Sequence, residues 1–166
     1  MDRLGRVAHE RGNVYLVGGA CAILRGWRQT TLDVDLTILP ERDDVYRAIP
    51  GIKEELEVNV EIASPFDFIP ELDGWRDRSI FIGTEGLLSF YHFDFYSQAL
   101  AKLERGHDRD LSDVESMISD GLVEPGSLAT FFEMIEDRLY RFPAIDPRAF
   151  RRSVLRFAGR NASESP

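Results

Sequence analysis

The chain has 166 residues with a formal net charge of −9; 43% are hydrophobic and 30% charged. This is enough to bury roughly 70% of its unfolded surface, so one soluble domain with its own core is expected, without disulfides or a structural metal. Wholesale disorder, fibrous repeats, a disulfide scaffold and a transmembrane helix are excluded, and the acidic balance disfavours extensive binding to duplex DNA.

In chain order, residues 1–12 read as a short helix ending at a glycine. The first twelve residues carry two acids and three arginines and hold no leader-length apolar stretch, so the cytoplasm is the expected location. Asn13–Val17 reads as a buried strand, broken by Gly18-Gly19, and Ala20–Trp27 follows at helical spacing. Cys21 lies in the apolar run ACAIL and reads as a buried small hydrophobe. From Leu32 to Leu39 the pattern alternates: Val34, Leu36 and Ile38 on one face, Asp33, Asp35 and Thr37 on the other. Asp43–Ile49 is predicted as a helix closed by Pro50-Gly51, and Leu56–Ala63 as a second alternating strand. There Glu57, Asn59 and Glu61 share the polar face.

Residues 64–77, rich in Pro, Asp and Gly, read as a loop and a candidate lid. Ser79–Gly83 and Leu87–Phe93 form an expected hairpin. Asp94 is the expected N-cap of a helix to about Arg105, followed by helices at Asp108–Ser119, Ser127–Tyr140 and Asp146–Phe157. The pattern is α+β: a mixed sheet of about five strands in residues 1–93, a helical part over 94–157 packed on it, and a flexible tail at 158–166.

Chemistry concentrates between Val17 and Thr37. Two carboxylates one pleat apart, roughly 7 Å between Cα atoms, repel unless a cation lies between them. Mg²⁺ suits such a pair, completing its shell with water and substrate phosphate. Gly18-Gly19, between a strand and a helix, lets a phosphate approach the backbone closely. Only 13 residues separate Gly19 from Asp33. Acids for a metal beside amides for phosphate is a pattern suited to a nucleoside triphosphate.

GG, a helix, then hDxDh on the next strand resembles the nucleotidyltransferase fold of the polymerase beta superfamily. Arg28-Gln-Thr-Thr-Leu-Asp33-Val-Asp35 is similar to the R-x-T-x-D-x-D segment of the tRNA-terminal branch, with one extra residue before the first acid. The stretches 64–75 and 88–118 are similar to a little-characterised bacterial nucleotidyltransferase-like family, over about residues 13–123. A more distant similarity is to nucleotidyltransferase toxins of abortive-infection toxin–antitoxin pairs.

The resemblance implies a mixed sheet flanked by helices, with Asp33, Asp35 and a third acid holding Mg²⁺ or Mn²⁺. Glu61 is the favoured third acid; Asn59, in the same register, and Asp67 are the alternatives. It further implies Gly18, Gly19, Arg28, Thr30 and Lys102 on the nucleotide phosphates, with Asp110 or Asp113 orienting Lys102 or Arg109. Lys102 also has a solvated reading, facing away from Leu100 and Leu103; it is one of only two lysines among 20 basic residues. Tyr91, His92 and Phe95 are either core or base-stacking aromatics. The expected reaction moves an NMP from an NTP to a hydroxyl on tRNA, protein or a small molecule. An inactive binding module and a toxin with a small cognate protein partner are the other readings, and a homo-oligomer is allowed.

Overall fold

Alternation in the first 93 residues becomes a five-stranded mixed sheet. In the computed structural model, residues 1–31 and 33–159 are described; Leu32 and most of the expected tail, 160–166, lie outside them. The strands are β1 (Gly12–Val17), β2 (Asp33–Leu39), β3 (Asn59–Ile62), β4 (Ile80–Glu85) and β5 (Leu88–His92), in the order β3-β2-β1-β5-β4. β1 runs antiparallel to β2 and parallel to β5, β2 runs parallel to β3, and β4–β5 is the expected antiparallel hairpin. The helices are α1 (Asp2–Val7), α2 (Gly18–Leu24), α3 (Asp43–Leu56), α4 (Trp75–Arg78), α5 (Phe95–Arg105), α6 (Asp108–Ser119), α7 (Pro125–Glu136) and α8 (Pro147–Ala158). The chain is α+β, and no helix among the described residues is long and apolar enough to cross a membrane.

The described residues group into two compact units: those of 1–64 with Arg78–Phe93, and Pro65–Asp77 with 94–159. In the first, Val14, Leu16, Leu36, Ile38 and Phe90 form the buried face of the sheet. Val34, Leu36 and Val60 face Ile49, Ile52 and Leu56 of α3 and Leu4 of α1 around a small cavity. This packing corrects two expectations. α3 does not stop at Pro50-Gly51 but runs on to Leu56, and Glu57 caps it in the left-handed region at φ 52°. The expected strand from Leu56 therefore shrinks to Asn59–Ile62. A proline inside a helix costs about 3 kcal/mol; Val45 and Ile49 are buried and Ile52 is half-buried beside the sheet, and this packing overrides local propensity.

In the second unit, Asp94 caps α5 as expected, accepting from the Tyr96 and Ser97 amides, and Gly106 closes the helix at φ 68°. α7 starts at Pro125, whose missing N–H is harmless in a first turn, and ends at Glu136; Leu139–Arg141 is a separate 3₁₀ turn. The segment read as a loop holds a 3₁₀ turn at Pro65–Asp67 and α4. Ile69, Leu72 and Trp75 are buried, and the Trp75 indole donates to Glu71 at 2.8 Å. These anchors tie the segment to its unit.

Candidate functional site

The register of β2 and β3 assembles the polar cluster of the first unit. Asp33 pairs with Asn59 and Asp35 with Glu61. Partners in a parallel ladder stand about 4.8 Å apart with side chains on the same face, so three acids and one amide share one face at the sheet edge. Val34, Leu36 and Val60 occupy the opposite, apolar face.

The amide is the organising group. Asn59 Nδ2 donates to Asp33 Oδ1 at 3.2 Å and to Glu61 Oε1 at 2.7 Å. Two carboxylates that would repel are thus bridged by one donor group, as a cation would bridge them. Asn59→Ala is expected to cost about 1 kcal/mol of stability without added metal, the scale of lost hydrogen bonds at a partly exposed site. Chemical denaturation of both proteins in chelator measures it, and an unchanged midpoint would show that the bridge contributes nothing.

The glycine pair sits against these acids. A Cβ on Gly18 would lie 2.9 Å from Asp35 Oδ2, and Gly18 has φ +57°. A Cβ on Gly19 would lie 2.5 Å from Thr31 Oγ1 and 3.2 Å from the Asp33 carbonyl. Both positions are therefore restricted to glycine by the close approach of the acid-bearing strand. Thr31 Oγ1 donates to the Asp33 carbonyl at 2.9 Å and accepts from the Asp33 amide at 3.3 Å. Thr31, rather than the exposed Thr30, is the threonine that meets the glycines. A hydroxyl two residues before the first acid, able to bond its backbone, was the signal for it. α2 spans only seven residues, and Arg28, beyond it, is half-buried.

Among the described residues, no three His, Cys, Asp or Glu side chains gather into a metal-holding group. Two carboxylates on one rigid face still match a hard cation such as Mg²⁺ or Mn²⁺, which takes one or two protein carboxylates and draws the rest of its shell from water and phosphate. Glu61 stands beside Asp35 in the register and accepts from the Asn59 amide.

Lys102 belongs to a different constellation, in the second unit. The solvated reading is corrected: Lys102 is 5% exposed. Its Nζ donates to Asp113 Oδ2 at 2.6 Å and Asp110 Oδ1 at 3.1 Å. Asp110 and Asp113 do hold Lys102, one turn apart on α6, whereas Arg109 is exposed. The second cation here is Arg105, which the sequence reading missed; it donates to both Asp110 oxygens at 2.7 and 3.1 Å. Burial pushes the Asp110 carboxyl up, but the Arg105 hydrogen bonds and the Lys102 charge outweigh it and hold it below its ordinary value.

Cys21 and His92 are buried, as is Phe95. Cys21 Sγ donates to the Leu16 carbonyl at 2.9 Å and lies 3.2 Å from His92 Nδ1. Tyr91 stacks on Tyr15 at 5.2 Å. Burial first, then the nearby Arg25 charge, lowers His92 to about 4. Below pH 6.5 the unfolded chain protonates its imidazole while the folded chain does not, so the contribution of His92 is present above 6.5 and lost towards 4. The loss is about 3 kcal/mol. Denaturation midpoints at pH 7, 5.5 and 4 should fall less in His92→Gln than in the wild type; equal slopes would remove His92 as the cause.

A family model described as a nucleotidyltransferase of unknown function (DUF6036) matches residues 4–146. No curated protein and no solved structure gives a match.

Proposed function

The chain belongs to the DUF6036 family of nucleotidyltransferases, and from that premise we propose that it moves a nucleoside monophosphate from an NTP to a hydroxyl acceptor. The acceptor oxygen bonds to the α-phosphorus, the bond from that phosphorus to the β-phosphate oxygen breaks, pyrophosphate leaves, and the hydroxyl proton passes to solvent. The observation that carries this reading is the shared face of Asp33, Asp35 and Glu61, set by the β2–β3 register, with Gly18 packed against Asp35.

Asp33 and Asp35 would hold the divalent cation, Mg²⁺ or Mn²⁺, with Glu61 as the third acid. When bound, the cation neutralises phosphate charge and lowers the pKa of the acceptor hydroxyl. Gly18 and Gly19 leave the backbone approachable beside those acids, and Arg28 and Thr30 are assigned to charge on the departing pyrophosphate. Lys102 is assigned to holding α5 on α6, because its ammonium is already hydrogen-bonded to two carboxylates. The test is pyrophosphate release and label transfer from each of the four α-³²P-labelled NTPs, with Mg²⁺ or Mn²⁺ and total cell RNA, protein or metabolites as acceptor. Label transfer that disappears in Asp35→Asn supports the reading; transfer unaffected by that substitution overturns it.

One observation favours a second reading, a nucleotide-binding module without catalysis. Asn59 faces Asp33 and its amide engages Glu61, so the third acid is already committed to a partner. Nucleotide binding without turnover for any acceptor would select this reading.

A further inference from the structure

The most unevenly charged part of the molecule is its last described helix, which follows the last residue of the family match. Between Arg138 and Gly159 stand six arginines and one acid, Asp146, in a chain whose net charge is −9. Asp146 caps α8, accepting from the Arg148 and Ala149 amides at 2.9 and 3.1 Å. α8 buries Phe150, Val154 and Phe157. The opposite face exposes Arg148, Arg151, Arg152 and Arg156, with Leu155 among them. Arg151 is paired with Glu136 of α7, which leaves Arg148, Arg152 and Arg156 as a row at four-residue intervals.

We infer that this row docks an RNA strand through its phosphates. Successive arginines rise by about 6 Å along the helix, close to the interval between phosphates on an extended strand, and guanidinium forks match phosphate oxygens. The turn before α8 adds an aromatic platform: Tyr140 is 74% exposed, with the Arg141 guanidinium 5.6 Å from its ring centroid. Exposed aromatic rings and arginines are what unpaired bases stack on. A lipid surface would need several large apolar side chains beside the arginines; on α8 Leu155 is exposed there, whereas Phe150, Val154 and Phe157 are buried on the other face. The acidic balance of the remaining chain limits the footprint to a few phosphates and opposes a long duplex.

This surface is separate from the catalytic reading, and binding is measured without NTP or metal, so failure of either leaves the other standing. The experiment is fluorescence anisotropy of a labelled 20-nucleotide single-stranded RNA against the full chain, with a duplex DNA of the same length, a polyglutamate peptide and phosphatidylserine vesicles as further arms. RNA binding should weaken roughly 20-fold between 50 and 200 mM salt, the release expected for about three phosphates on a single strand. Arg148→Gln/Arg152→Gln/Arg156→Gln should weaken it at least about tenfold, with Arg152→Gln alone lowering the salt slope by about 0.7. All three positions are exposed, so melting temperatures should stay within about 2 °C. No RNA binding, binding unchanged in the triple variant, or tighter binding to duplex DNA, polyglutamate or vesicles than to RNA each overturns the inference.

Discussion

Lys102→Ala is expected to destabilise the protein by about 3–5 kcal/mol, the scale for removing one partner of a buried ion pair. The ammonium lies among Asp110 and Asp113 at 3.1 and 2.6 Å, with all three side chains nearly solvent-free. Its loss leaves Asp113 without this cation and Asp110 with Arg105. Urea unfolding of the variant measures the cost, and a midpoint equal to that of wild type would contradict the structural assignment. Lys102→Met combined with Asp113→Asn should recover part of the loss, because it removes two buried charges together. Asp110 adds a pH signature. Its folded pKa is depressed, so its contribution is complete above the unfolded carboxylate pKa and disappears as pH falls through the folded value, in the acid range below about 4.

The second large effect concerns activity. Asp33→Asn with Asp35→Asn should lower transfer by at least about 10³-fold, since charge stabilisation by a catalytic cation is worth several kcal/mol and each decade corresponds to about 1.4. Stability without metal should hold or rise, because like charges are removed from one face. Glu61→Gln should abolish transfer while leaving NTP binding largely intact; Asn59→Ala should do less. An essential Asn59 with a dispensable Glu61 would place the reactive position at the Asp33 end of the register.

Period-two patterning made β2 and its acid face readable from the residues alone, and the glycine pair with the hDxDh strand carried the resemblance to the superfamily, the stretches 64–75 and 88–118 that to the family. Cap chemistry likewise placed α5, through Asp94 and Gly106. What escaped were features decided by contacts distant in sequence. α3 crosses Pro50 because Ile49 and Ile52, on either side of it, pack beside the sheet, which local breaker chemistry cannot report. Lys102 sits on the polar side of α5 when that helix is considered alone; only the approach of α6 turns that side inward and adds Arg105. Thr31 was overlooked for Thr30 because the motif fixes spacing while strand geometry fixes which hydroxyl meets Gly19. The arginine row of α8 was concealed by the net charge of −9, a sum over the chain that erases the segregation a helix creates.

On the proposed function, the carboxylates of β2 hold a divalent cation together with a nucleoside triphosphate. Calorimetric titration of a non-hydrolysable NTP with Mg²⁺ into wild type and into Asp33→Asn/Asp35→Asn tests it without depending on the acceptor. Saturable, Mg²⁺-dependent binding to wild type and at least a tenfold weaker affinity in the double variant are expected. Equal affinity in the two proteins, or binding indifferent to Mg²⁺, would contradict it.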